Sequence, residues 1–323
     1  MAYTIDVHLS PDDVRQRMRT DALNGLSAVP KSIPPVWFYD ERGSQLFEEI
    51  TRLPEYYPTR AERRLLESHA PAIAELSKAD TLVELGAGSC EKTRVLLDAL
   101  RELGTLGRYI PFDVSDEFLR DAASSLATEY DGLAIHLVIG DFSEHLATIP
   151  TGGRRLVAFL GGTIGNLDPD HRARFLFDLN CTMSSDDSLL LGTDLVKDRG
   201  RLVAAYDDAA GVTAQFNRNV LDVLNEQLGG DFDPENFAHV ALWNEDEQWI
   251  EMRLRALAAA EVTLREAGLA VHFEEGEELL TEISAKFTPA RVEEELRAAG
   301  FVIDAMWGAD EGEFLLTLAH PFC

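Results

Sequence analysis

Along residues 62–198 the apolar positions alternate between two rhythms. Short apolar runs, as strands buried on both faces require, are separated by segments whose apolar residues recur at helical steps. The pattern predicts a helix over 61–77, strand 80–85, helix 91–103, strand 108–113, helix 116–128, strands 135–139 and 155–160, helix 170–182 and strand 187–193. Such alternation implies an α/β fold, with a parallel sheet covered by helices on both faces. Near the end, TPARVEEELRAAGF predicts a helix opened by a Thr cap and Pro. Strands 300–306 and 313–319 follow, joined across GADEGE as a hairpin suited to the edge of the same sheet.

Residues 199–285 behave differently. Val212, Phe216, Val220 and Leu224 recur at steps of four and mark one amphipathic helix, while WIEMRLRAL and VHFEEGEELLTEISAKF read as antiparallel strands. An inserted α+β domain is therefore expected, made of 1–61 and 199–285, beside a sheet domain of 62–198 and 286–323. The Pro-rich stretches KSIPPVWFYD and RLPEYYPTR are expected to form lid or pocket walls rather than core.

Composition narrows the class. With 323 residues and 46% hydrophobic content the chain can bury a large core. The opening MAYTIDVHLSPDDVRQRMRT has no uninterrupted apolar region, and no run approaches membrane-spanning length, so a cytoplasmic protein with no membrane partner is expected. The 57 acidic residues against 29 basic ones give a formal charge of −28, which repels a phosphate backbone and argues against nucleic acid. Cys90, Cys181 and Cys323 are odd in number and widely spaced; reduced thiols are expected, with no disulfide framework and no metal site.

Candidate chemistry gathers at predicted strand ends. In VELGAGS, Gly86 and Gly88 let the backbone approach a ligand closely, although the motif alone is equally a tight turn. A dinucleotide fingerprint would place a third small residue where Glu91 stands, which favours S-adenosylmethionine, a cofactor without phosphate. Asp113, in IPFDVS, can accept from two ribose hydroxyls; Asp141 and Phe142, in VIGDF, offer a carboxylate for an adenine amine and a ring face for its π-system. Asn166 follows the glycines of FLGGTIGNL and carries both donor and acceptor toward the same crevice. In LLTEISAKF, alternation puts Leu280, Glu282, Ser284 and Lys286 on one face. Periodicity leaves two readings open there: the wet side of an edge strand, or a carboxylate and hydroxyl spaced to bond the two nitrogens of an imidazole.

Long stretches of the chain settle between them by likeness. PKSIPPVWFYDERGSQLFEEITRLPEYYPTR, TLVELGAGSCEKTRVLLDAL, IPFDVS, GDF, FLGGTIGNL, LLLGTDLVKD, AYDDAAGVTAQFNRNVL and LLTEISAKF together resemble the histidine-specific N-alpha-methyltransferases of ergothioneine biosynthesis, in their actinobacterial form. The resemblance implies a class I methyltransferase fold, Rossmann-like and mostly parallel, with an inserted substrate domain. It further implies S-adenosylmethionine as methyl donor and conversion of L-histidine to its trimethyl betaine, hercynine. By position, the family's donor contacts fall on Gly86, Lys92, Asp113, Asp141 and Phe142, and its histidine contacts on Tyr56, Asn166, Tyr206, Glu282 and Ser284.

Tyr39 is expected to shape the surroundings of the reacting amine; Met252 reads first as an ordinary core methionine and otherwise as a wall of the side-chain pocket, and Phe47, Tyr39 and Tyr56 read equally as packing residues or as ring faces for a quaternary ammonium. A monomer is expected. The nearest alternative is a related enzyme acting on tryptophan, which Glu282 opposes because an indole offers one donor and no ring acceptor. A nicotinamide-dependent dehydrogenase and a non-catalytic ligand-binding module are more distant.

Overall fold

The computed structural model describes residues 3–88, 90, 92–309 and 312–322. Glu91 and Cys323, which entered the reading above, lie outside the described residues. In chain order the strands are β1 (Tyr3–Val7), β2 (Lys31–Ser32), β3 (Thr81–Leu85), β4 (Arg108–Asp113), β5 (Ala134–Ile139), β6 (Arg155–Phe159), β7 (Ser188–Asp194), β8 (Phe237–Asn244), β9 (Trp249–Ala256), β10 (Ala260–Leu264), β11 (Leu269–Phe273), β12 (Glu278–Ala285), β13 (Phe301–Gly308) and β14 (Phe314–Pro321).

Backbone contacts divide the chain into two units, one of Met1–Leu9, Pro58–Val196 and Lys286–Cys323, the other of Ser10–Tyr57 and Lys197–Ala285. The first nine residues fall with the first unit rather than with 10–57, because β1 pairs in parallel with β5, Ile5 opposite Leu137. Five residues at the very start of the chain carry too short a period to declare a sheet partner more than a hundred residues away.

In the first unit the strands run β1-β5-β4-β3-β6-β7-β14-β13. They are parallel through β7; β14 then lies antiparallel to both β7 and β13. Every residue of β3, β6 and β7 is buried, which explains why these strands read as continuous apolar runs. The helices stop where their sequences say they should: Gly104, in the left-handed region at φ 79°, ends Thr93–Leu103, and the Thr288 hydroxyl caps Pro289–Ala298 by accepting from the Arg291 amide at 3.2 Å. The strand order reverses between β3 and β6, the place where sheets of this kind receive ligands.

The second unit holds a four-stranded sheet, β2-β12-β9-β8, and the hairpin β10-β11. The helix Val212–Leu228 buries the predicted Phe216, Val220 and Leu224 in a core shared with Leu254, Phe237 and Phe273. KSIPPVWFYD does not form a lid or wall alone: Ile33, Trp37 and Phe38 are buried in that same core, and Phe38 is fully inaccessible. The prolines there shape a short 3-10 turn, Pro35–Phe38, that delivers two aromatic rings inward, each burial contributing about 1.5–3 kcal/mol. No helix among the described residues is long and apolar enough to cross a membrane.

Candidate functional site

Register aligns the strand ends of the first unit. Leu85 of β3 stands opposite Phe112 of β4 and Phe159 of β6, and Asp113 stands opposite Ile139 of β5. Gly86, Asp113, Asp141 and Gly161 therefore emerge side by side at one end of the sheet. Gly86 (φ +71°) and Gly88 (φ +50°) turn the chain through conformations that side chains resist. A Cβ at Gly86 would meet only Phe142 at 3.9 Å, and one at Gly88 nothing within 4 Å, so the turn leaves open space above it.

Asp113 braces this turn. Its Oδ2 accepts from the Gly88 amide and its Oδ1 from the Ser115 amide, each at 3.0 Å. Burial raises its pKa, opposed by these amides. A carboxylate offers about four lone-pair sites, which suits it to accept from a pair of vicinal hydroxyls. Asp141 is 5% exposed and caps the next short helix, its Oδ1 accepting from the Ser143 amide at 2.7 Å. The Phe142 ring packs edge-on to Phe159, centroids 5.2 Å apart, and is half-buried beside Gly86. Lys92, at the start of the helix Thr93–Leu103, is not an isolated surface lysine: its ammonium pairs with the buried carboxylate of Glu62. Asn166 ends the 3-10 turn Thr163–Asn166, half-buried, after Gly161 and Gly162 at φ +79° and +69°.

Two carboxylates beneath these groups escaped the sequence reading. Glu84 lies inside β3, accepting at Oε2 from the Tyr109 hydroxyl at 2.6 Å and from Thr93. Burial pushes it up to about 7 against those two hydrogen bonds. Cys90 joins the same cluster, 3.2 Å from the Tyr109 oxygen, and burial drives its thiol pKa well up, the opposite of an activated thiolate. Glu62 is wholly inaccessible. The signal for both was a single acid inside an otherwise apolar pattern, TLVEL for one and the stripe Ala61, Leu65, Leu66 for the other.

The second unit gathers a different set. β12 pairs with β9 along its length and with the two-residue β2 only at Leu279 and Leu280, so the reading of its Glu-Ser face as a wet one fails on burial rather than on strand position. Glu282 and Ser284 are 7% and 5% exposed. They stand opposite Met252 and Ile250 of β9, and Met252 is 2% exposed and packed in the second unit's core. A bulge between Leu280 and Glu282 breaks strict alternation, and Thr281 turns its hydroxyl to Asn217 at 2.6 Å. Lys286 does not share the face. The strand ends at Ala285, and Lys286 forms a buried ion pair with Asp194 of the first unit's own sheet, 2.9 Å apart.

The Tyr206 hydroxyl lies 2.8 Å from the Ser284 hydroxyl, and its backbone carbonyl lies 2.8 Å from His239 Nε2, which fixes the residue from two sides. Burial lowers the His239 pKa. Tyr206 also meets Tyr56 edge-on at 6.2 Å; Tyr56 meets Phe47 at 6.2 Å, Phe47 meets Tyr39 at 5.7 Å, and Phe216 closes the group behind them. Tyr39, Tyr56, Tyr206, Glu282 and Ser284 thus all belong to the second unit, and Asn166 with the five donor candidates to the first. Among the described residues no His, Cys, Asp and Glu group is arranged to hold a metal ion.

The first unit's strand ends fit an adenosyl donor: an open glycine turn, a braced carboxylate for a ribose, a carboxylate and ring for a base, and a directed ammonium for a carboxylate. Comparison with known proteins agrees. The family model described as histidine-specific methyltransferase, SAM-dependent, matches residues 18–321. The chain is 54% identical over 319 residues to the histidine N-alpha-methyltransferases of Mycolicibacterium smegmatis and Mycobacterium tuberculosis, spanning 99% of each chain. It is 28% identical over 345 residues to the L-tryptophan methyltransferase of Psilocybe serbica, covering 97% of this chain and 96% of that one. On the match of nearly its whole length, the chain belongs to the family of histidine-specific, S-adenosylmethionine-dependent methyltransferases.

Proposed function

We propose that this chain methylates the alpha-amino nitrogen of L-histidine three times, giving hercynine, the first step toward ergothioneine. The observation that carries the reading is the buried pair Glu282 and Ser284 on β12, with Tyr206 braced on Ser284 at 2.8 Å. A carboxylate and a hydroxyl at that spacing match the two nitrogens of an imidazole, whereas an indole, with one N–H donor and no ring acceptor, could meet only one of the two.

S-adenosylmethionine supplies a methyl group made electrophilic by its positive sulfonium. Gly86 and Gly88 give its backbone-facing side room, Asp113 accepts from the ribose, Asp141 and Phe142 receive the base, and Lys92 meets the methionine carboxylate. Asn166 and Tyr206 hold the histidine carboxylate, while Tyr56 and Asn166 orient the amine and Tyr39 lines its surroundings. The alpha-amino nitrogen must shed a proton before each transfer, so that its lone pair is free to attack the methyl carbon. Orientation of the nitrogen is then the main contribution. The trimethylated product carries a charge that no hydrogen bond can reach. Ring faces from Tyr39, Phe47 and Tyr56 stabilise such a cation by about 0.5–2 kcal/mol each. The substrate is a small molecule, and we propose that the chain acts as a monomer in the cytoplasm.

The test is to incubate the purified chain with isotope-labelled donor and each amino acid in turn and weigh the products. Trimethylhistidine from histidine alone supports the reading. Preferred labelling of tryptophan would replace it, and accumulation of monomethylhistidine with donor in excess would remove the threefold transfer.

A further inference from the structure

Beneath the candidate donor groups lies a carboxylate that the proposed reaction does not use. Glu62, on the helix Pro58–Ser77, is 0% exposed and satisfied at both oxygens. Its Oε1 accepts from the Gly161 amide at 2.7 Å, and its Oε2 pairs with the Lys92 ammonium. The sheet leaves space for it: a Cβ on Gly192 of β7 would stand 2.2 Å from Oε1. One acid therefore joins the residue that opens the helix after β3 to the glycine turn after β6.

We propose that Glu62 is a positioning residue for the donor: it fixes the Lys92 ammonium where that group meets the methionine carboxylate, and it holds the turn that leads to Asn166. The inference rests on the donor reading of Lys92 given above. A lysine ammonium has three N–H donors, and the pair with Glu62 engages one side of it. The Lys92 side chain is 22% exposed, so its outer side faces away from the protein interior. Without a buried partner a lysine on its four-carbon stem samples many rotamers, and the carboxylate selects one. The second oxygen acts on backbone. Gly161 and Gly162 both occupy the left-handed region, and the bond to the Gly161 amide restrains the start of that turn, five residues before Asn166.

Glu62→Gln separates these roles, because an amide oxygen still accepts from Gly161 while its NH2 offers Lys92 no acceptor. The experiment measures the Kd of S-adenosylhomocysteine by calorimetry for the full chain, Glu62→Gln, Lys92→Met and the double variant, with the histidine KM and the melting temperature of each. Each single variant is expected to raise that Kd about tenfold. The double variant should be no weaker than either single one, and the histidine KM should stay within about twofold. A buried pair serving stability alone would lower the melting temperature and leave the Kd in place. An unchanged Kd in Glu62→Gln beside a weakened Lys92→Met overturns this inference alone, as does a double variant whose effects multiply. An unchanged Kd in Lys92→Met removes the donor reading of that lysine and the inference with it. Should Glu62→Gln not fold, Glu62→Asp keeps the charge and draws the carboxylate back by one carbon; it is expected to weaken the same Kd, and wild-type binding by it would overturn the proposal.

Discussion

In the first unit the candidate donor groups sit at neighbouring strand ends and owe their places to backbone. Gly86, Asp113, Asp141 and Gly161 follow four strands whose register sets their last residues in a row, and short local motifs carry each of them. In the second unit, Tyr39 comes from the end of a 3-10 turn, Tyr56 from the segment before Pro58, Tyr206 from the turn after the short helix Arg199–Ala204, and Glu282 and Ser284 from β12. Tyr56 and Tyr206 meet through their ring edges, and Tyr206 meets Ser284 through a pair of hydroxyls. On the proposed reading, the difference teaches that a ligand common to many enzymes can be held by a reusable backbone feature, whereas the amino acid that makes this family distinct would be met by side chains collected from distant parts of the chain.

The contrast predicts that changes at the candidate donor groups act on the donor alone and cut deepest. Asp113→Ala removes the brace on Gly88 and Ser115 together with the ribose acceptors, so S-adenosylhomocysteine affinity should fall about a hundredfold or more by calorimetry. A loss in histidine affinity of the same size would erase the division of labour.

Next in size is the acid beneath the turn. Glu84 titrates near 7 in the folded chain against an ordinary 4.5, because burial outweighs the hydrogen bonds from Thr93 and Tyr109. Below pH 4.5 both folded and unfolded forms hold the proton. As the pH rises toward 7 the unfolded chain sheds it first, so the folded state loses stability, by at most about 3 kcal/mol, and the loss is complete above 7. Both hydrogen bonds reach one oxygen, Oε2, which a Gln oxygen can replace. Glu84→Gln should therefore flatten the decline in melting temperature between pH 4.5 and 8. Parallel curves for the two proteins would show that Glu84 does not carry the dependence.

In the second unit the effects should be smaller and fall on the amino acid. Glu282→Ala is expected to lower kcat/KM for histidine by about ten- to a hundredfold with donor affinity intact. Equal losses for both ligands would sharpen the comparison against us by placing Glu282 in the donor half. Tyr206→Phe removes the hydroxyl that lies 2.8 Å from Ser284, and should raise the histidine KM by about two- to tenfold, the smallest of the four. A wild-type KM would mean that Ser284 needs no partner.

Much of this was legible beforehand, for identifiable reasons. β3, β6 and β7 announced themselves because both faces of each are buried, so their composition has no polar half to confuse it. The Thr288 cap announced its helix because capping depends on neighbours three residues apart. β1 stayed hidden because its partner, β5, is remote in sequence. The Pro-rich stretch before Tyr39 was misread as a wall because proline composition reports turn geometry and says nothing about which way the next rings point. Glu62 and Glu84 were passed over because an acid in an apolar stripe declares a partner without naming it.

By itself, then, the order of residues determined the alternating sheet, the glycine turn and the family, since each rests on interactions between residues near in sequence or on long stretches of likeness. Only the tertiary structure decided that Glu282 and Ser284 are buried, that Lys286 leaves their face for Asp194, and that Lys92 answers to Glu62. Burial and charge pairing depend on what packs against a residue from far along the chain, and alternation within one strand carries no record of it.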